Sequence, residues 1–92
     1  MDVDDRPVPA AFARREVVLA PGARRAYDES EWADALVIVK RGELDIECRA
    51  GGRMRFVAGD MLWLTGLPLR ALENLGAEPA VLVAVSRCRA TA

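Results

Sequence analysis

The sequence predicts an all-β domain, a sandwich or small barrel of jelly-roll type, and three observations carry that reading. Short runs rich in valine, isoleucine and leucine recur between glycine and proline punctuation. Helix-period patterning is almost absent, and turn signals fall roughly every 8 to 12 residues. A chain of 92 residues holds one core and not two. Eight strands are expected in order: Glu16–Leu19, Arg24–Tyr27, Ala35–Arg41, Glu43–Arg49, Arg53–Val57, Met61–Thr65, Leu69–Asn74 and Ala80–Arg87.

The fourth and fifth of these read as a hairpin. Leu44, Ile46 and Cys48 share one face while Glu43, Asp45 and Glu47 share the other. Ala50-Gly51-Gly52 allows a tight reversal, after which Arg53 and Arg55 can face those three acids across the pair. Leu36-Val37-Ile38-Val39 and Val81-Leu82-Val83-Ala84-Val85 are apolar on both faces, so each needs cover on two sides. In so small a chain the second cover is expected from another subunit, which makes a homodimer the expected state. Residues 1–13, with Asp2, Asp4, Asp5 and two prolines, show no periodicity and are expected to form a flexible or exchanged arm ahead of a domain at 14–92.

Composition removes several function classes. The chain has no histidine, which excludes Ser/His/Asp and Cys/His catalytic arrangements and histidine-containing zinc sites. Its two cysteines, Cys48 and Cys88, are too few for an all-cysteine zinc site and read as free, packed thiols. Fourteen acidic against thirteen basic residues give a formal charge of -1, no basis for a nucleic-acid or membrane-surface partner. The Arg14-Arg15 and Arg24-Arg25 pairs do not amount to a basic patch. No apolar run nears the roughly 18 residues of a membrane span, and the first nine residues do not resemble a signal peptide, so a cytoplasmic protein is expected.

The glycine spacing narrows the fold further. Gly22 is followed after five residues by Asp28-Glu29-Ser30, after four more by Ala35 and after six more by Gly42. Gly59 is followed after five residues by Thr65-Gly66-Leu67, after two by Arg70 and after three by Asn74. These two frames resemble the paired motifs of the cupin superfamily, a Gly, His-x-His, Glu, Gly series and a Gly, Pro-x-Gly, His, Asn series. The resemblance covers about residues 15 to 87 and implies a minimal single-domain cupin barrel. Every metal-ligand identity is replaced: Asp28, Ser30 and Ala35 stand at the first-motif positions and Arg70 at the second-motif histidine. A one-residue shift in the Thr65 to Pro68 loop would put Leu69 there instead.

By that resemblance these side chains would converge on the barrel mouth. Ala35 has no donor atom and Arg70 is a permanent cation, so no metal and no cofactor are expected. Arg70 could present its guanidinium to a carboxylate or phosphate, or pair with Asp28 inside a polar interior. The candidate ligand-binding set is therefore Arg70, Asp28, Ser30, Asn74, Tyr27 and Trp63, with Trp63 either stacking on a ligand or filling a contact. Trp32, in the run Asp28-Glu29-Ser30-Glu31-Trp32-Ala33-Asp34, reads as a half-buried anchor in a solvated turn or as part of an acidic lip.

Two functions follow. One is a metal-free cupin-like domain that binds a small polar or anionic molecule or serves as a structural or regulatory module. The other is a metal-independent isomerase, epimerase or cyclase, with Tyr27, Asp28 or Glu29 as base and Arg70 and Asn74 stabilising negative charge. The two separate on one point, whether an open cavity exists or Leu and Trp side chains fill it. A cyclic-nucleotide sensor, hinted at by Arg41-Gly42-Glu43-Leu44, lacks the helices and phosphate cassette that such domains use.

Overall fold

The computed structural model describes residues 12–87. Eight strands and one short helix follow in the order β1 (Phe12–Leu19), β2 (Arg24–Ala26), α1 (Glu29–Trp32), β3 (Ala35–Arg41), β4 (Glu43–Cys48), β5 (Arg53–Val57), β6 (Met61–Trp63), β7 (Leu69–Glu73) and β8 (Ala80–Arg87). They build two four-stranded antiparallel sheets, β1-β8-β3-β6 and β2-β7-β4-β5, whose inner faces pack on one another. This is the small all-β jelly roll that the strand count and turn spacing predict. Among the described residues, no helix is long and apolar enough to cross a membrane.

The alternation read from the sequence sets the register. Asp45 lies opposite Arg55 and Glu47 opposite Arg53 in the β4–β5 hairpin, as the charge pattern predicts, while Leu44 and Ile46 turn inward and are fully buried. The hairpin closes through Gly51, whose φ of +98° suits glycine, with its N–H donating to the Cys48 carbonyl at 2.9 Å. Gly42 carries the chain from one sheet to the other between β3 and β4. Its φ is +74°, and a Cβ there would stand 2.6 Å from the Pro79 carbonyl oxygen, so only glycine fits.

The core is continuous. Val37, Val39 and Leu82 from one sheet and Leu44, Ile46 and Leu72 from the other are completely buried, and Trp32 is buried among them. Trp32 corrects one expectation: its acidic stretch is not a solvated turn but a helical turn that drives the indole inward. Asp28 is its N-cap, accepting from the Ser30 backbone N–H at 3.0 Å. So short a helix leaves no periodic apolar stripe in the sequence, which is why the strand reading passed over it.

The remaining expectations at the ends and at the thiols stand as follows. Phe12 and Ala13, read as the end of an arm, pair with Arg87 and Ser86 in β8. The rest of the arm and Cys88 lie outside the described residues. Cys48 is a free thiol, half-buried at the edge of the core rather than enclosed by it.

Candidate functional site

The family frame places Asp28, Ser30, Ala35 and Arg70 at one point; the fold sends Arg70 elsewhere. Leu69 faces the core across from Cys48 and is buried, whereas Arg70 is exposed. A bulge between Glu47 and Cys48 shifts the β4–β7 register there, and it leaves two adjacent β7 residues, Arg70 and Ala71, against the Glu47 side. Arg70 therefore points out of the barrel and donates to the Arg49 carbonyl at 3.1 Å. Neither expected role inside the barrel, grasping an anion or pairing with Asp28, fits that direction.

Asp28 and Ser30 do meet, but on the outside. The Ser30 hydroxyl donates to Asp28 Oδ1 at 2.8 Å, and the same oxygen caps α1, so both polar groups serve the helix start. Asn74 is fully buried and wholly engaged by backbone. Its Nδ2 donates to the Leu19 carbonyl at 3.0 Å and to the Glu78 carbonyl at 2.7 Å, while its Oδ1 accepts from the Gly76 N–H at 2.9 Å. It clasps β1 to the loop before β8 and has no group left for a ligand. Trp63 lies on the outer face of β6, 54% exposed, opposite Leu36.

The acidic stretch is not an open lip either. Arg25 donates to Glu31 through Nε at 3.1 Å and through a second, shorter contact, and Arg15 reaches the same carboxylate at 3.3 Å. Hydrogen bonding from Arg25 is the main reason the Glu31 carboxyl is held below its ordinary value, with the Coulomb attraction of Arg25 and Arg15 adding to it. Arg15 also lies 4.9 Å from the Trp32 ring centroid and donates to the Glu31 carbonyl at 2.9 Å. One arginine of each pair that looks like a faint basic feature in the sequence, Arg15 and Arg25, thus holds α1 against the sheets, while Arg14 pairs with Glu16 and Arg24 bridges Glu47 and Glu73.

Of the six predicted residues, Tyr27 lines a cleft at the mouth of the barrel. The cleft, about 340 Å³, is bounded by Tyr27, Glu29, Arg49, Gly66, Leu67 and Pro68. The Tyr27 hydroxyl donates to Glu29 Oε1 at 2.7 Å and lies 3.2 Å from the Leu64 carbonyl, and the Gly66 N–H donates to Glu29 Oε2 at 3.3 Å. Burial and the neighbouring Glu29 carboxylate push the phenol well above its ordinary value, so it stays protonated and is a hydrogen-bond donor, not a base. Arg49 was not among the candidate site residues, and the Thr65 to Pro68 loop entered the sequence reading only through its spacing. A hairpin-end arginine and a glycine-proline turn carry no signal of their own until folding sets them beside Tyr27.

The residues at the family's ligand positions do not fit a metal: two are spent on a helix cap, Ala35 has no donor, and Arg70 faces outward. Among the described residues, no group of three or more acidic or thiol side chains is disposed to hold a cation. A scan of known protein families finds no match to this chain, and neither does a comparison with curated proteins. Solved structures do match. A Cupin 2 conserved barrel domain protein from Salinispora arenicola is 24% identical over 88% of this chain and 69% of its own, with a TM-score of 0.62. The cupin domain of Schizosaccharomyces pombe Cnp3 is 15% identical over 91% of this chain and 57% of its own, with a TM-score of 0.69. A cupin-superfamily sugar phosphate isomerase from Silicibacter pomeroyi is 29% identical over 86% of this chain and 52% of its own, with a TM-score of 0.60. The latter two chains are thus matched over little more than half their length. Two antiparallel sheets in this order, the glycine turns between them and these structural relatives together show that the chain has the cupin fold.

Proposed function

We propose that this chain is a non-catalytic cupin domain, a structural or regulatory module whose barrel is a packed core and not a reaction chamber. One observation carries the reading: Trp32, Leu44, Ile46, Leu72, Leu82, Val37 and Val39, the side chains that fill the barrel, are each fully buried. A ligand inside would have to displace several of them, and each large side chain lost from a packed core costs about 2–5 kcal/mol. That is a large share of the stability of a domain this size.

The relative named as a sugar phosphate isomerase raises the rival reading, an isomerase acting on a phosphorylated sugar. Its base would have to be Tyr27, Asp28 or Glu29. Tyr27 is held protonated, Asp28 caps a helix, and Glu29 already accepts from Tyr27 and Gly66. A narrower form of binding is favoured by the mouth cleft itself, where Arg49 and the Tyr27 hydroxyl border a space sufficient for one small carboxylate or phosphate.

Thermal melts with inorganic phosphate, acetate, citrate and a hexose phosphate test the three together. The module reading expects no saturable rise in Tm and no isomerised sugar by NMR. A saturable rise lost in Arg49→Ala replaces it with anion binding at the mouth. Turnover of the sugar phosphate that survives repurification overturns it in favour of the enzyme.

A further inference from the structure

We infer that the open edge of β5 is a docking site for an extended peptide segment of a partner protein, one whose residues alternate acidic and apolar, added as a further strand to the β2-β7-β4-β5 sheet. The backbone of β5 is arranged for it. β5 is the last strand of its sheet, paired on one side with β4. The Val57 N–H donates to Asp60 Oδ2 at 2.8 Å and the Val57 carbonyl accepts from the Asp60 N–H at 3.0 Å, so both groups of Val57 face away from β4. Backbone groups alternate sides along a strand, so the N–H and C=O of Arg55 and of Arg53 face the same way. Asp60 satisfies the edge at Val57, whereas the groups of Arg53 and Arg55 have no partner among the described residues. A row of such groups is a template for another strand.

Edges of this kind are commonly guarded by charged side chains. Here the arginines of β5 lean the other way. Arg53 reaches over β4 to Glu73 on β7 at 2.8 Å, and Arg55 holds Asp45 on β4 at 3.0 Å. The side chains left beside the free backbone groups are apolar: Met54 is 41% exposed, and Phe56 is only partly buried against the core. β2 and β6 are shorter edges, with three residues each.

β4 itself shows which strand fits β5. It sets Glu47 and Asp45 opposite Arg53 and Arg55, and Ile46 and Leu44 opposite Met54 and Phe56. A strand on the free side meets the same residues on the same two faces, so the same alternation suits it. The guanidinium groups can serve both neighbours, because each has several N–H donors and the Arg53 and Arg55 side chains are 44% and 55% exposed. A second copy pairing through its own β5 is the poorer occupant. A two-fold axis at Met54 brings Arg53 of one copy opposite Arg55 of the other, and an axis at Arg55 brings that residue opposite itself, like charges in direct opposition. Docking at the edge leaves the ion pairs of the outer face in water and does not involve the barrel interior. A ligand found in the mouth cleft would therefore leave this inference standing, and its failure would leave the packed-barrel reading standing.

Amide hydrogen exchange on the isotope-labelled full chain, read residue by residue by NMR, tests this with a blocked synthetic peptide Glu-Leu-Asp-Ile-Glu, the pattern of β4, as the probe. Without peptide, the Arg53 and Arg55 amides are expected to exchange faster than those of Met54 and Phe56, which face β4. With peptide in excess their exchange is expected to slow about tenfold once roughly nine-tenths of the chain is occupied, since only the free fraction exchanges. The charge-reversed peptide Lys-Leu-Lys-Ile-Lys is expected to give no slowing. Arg55→Pro removes an edge N–H that β4 does not use and is expected to abolish the effect with an unchanged far-ultraviolet CD spectrum. Arg55→Ala, which keeps that N–H, is expected to retain it more weakly. Wild-type Arg53 and Arg55 amides that stay fast at about 1 mM acidic peptide overturn the inference, even allowing for weak docking. Equal slowing by both peptides overturns the acidic partner. Amides already slow without peptide also overturn it: slowing that grows with chain concentration assigns the edge to a second copy, and slowing lost when residues 1–11 are removed assigns it to the chain's own start.

Discussion

Replacing Trp32 with alanine should cost about 3–5 kcal/mol, the range for a fully buried tryptophan, made of the lost transfer of the indole plus the hole left behind. Trp32 is completely buried in the described core, and removing it also releases the Arg15 guanidinium from the ring. Against a total of about 5–14 kcal/mol, taken at 0.05–0.15 kcal/mol per residue for 92 residues, the variant stays folded but is severely weakened. An unfolding entropy of about 2.1 cal/mol/K per residue gives about 0.19 kcal/mol/K for the chain, so 4 kcal/mol lowers Tm by about 20 °C. Trp32→Phe should fare much better than its lost volume implies. Among the described residues the indole N–H finds no hydrogen-bond partner, a penalty of about 1–3 kcal/mol that phenylalanine removes. Urea unfolding followed by CD, at one fixed protein concentration so that self-association does not enter the comparison, measures both. Added indole should raise the Tm of Trp32→Ala saturably and leave the wild type unchanged, since an apolar hole of that shape admits it. An alanine variant within about 1 kcal/mol of the wild type would show the interior to be loosely filled, and the packed-barrel reading of function would fail with it.

Three further outcomes follow from single side chains. Gly42→Ala should be clearly destabilising while Gly51→Ala costs only the strain of positive φ, about 1–2 kcal/mol. The added methyl meets the Pro79 carbonyl at 2.6 Å in the first case and open space in the second, and equal urea midpoints would refute this. Tyr27 is the single tyrosine, so the alkaline absorbance titration is unambiguous, and its phenolate should appear well above the ordinary value of 10.0; a normal midpoint would place Tyr27 in solvent. Glu31 has a folded-state value below its reference of 4.5, so its contribution is fully present above that reference and is lost as pH falls through the lower folded value. Glu31→Gln should therefore flatten the acid limb of the stability curve, and an unchanged limb would show the Arg25 contact to be idle.

The fold was legible because its signals are local. Glu43–Cys48 alternates by residue type, the glycines at 22, 42, 51 and 59 take positive φ, and each of the eight expected strands has a counterpart within a few residues. The site was not legible, because it depends on which way single residues point. Counting from Gly59 gives Arg70 the histidine position, but the bulge in the β4–β7 pair turns Leu69 inward and Arg70 out, and a bulge leaves no mark in spacing. Asn74 kept its family identity yet works as a backbone clasp, a role set by where Leu19 and Glu78 arrive in space. Arg15 and Arg25 were invisible as partners of Glu31 for the same reason: they stand 16 and 6 residues from it in sequence.

The two outer faces of the barrel solve the same problem in opposite ways. Each sheet buries one face, and the other must be tolerable in water. On the β2-β7-β4-β5 sheet the solution is internal: Arg24 bridges Glu47 and Glu73, Arg53 also reaches Glu73, and Arg55 holds Asp45 at 3.0 Å. Such a lattice adds little to stability where it is exposed and screened by salt. It does make that face costly to press against another protein, since each ion would be stripped of water for partners it already has. On the outer face of the β1-β8-β3-β6 sheet the Arg14–Glu16 pair stands on β1, and Trp63, Met61, Leu36 and Val18 are exposed.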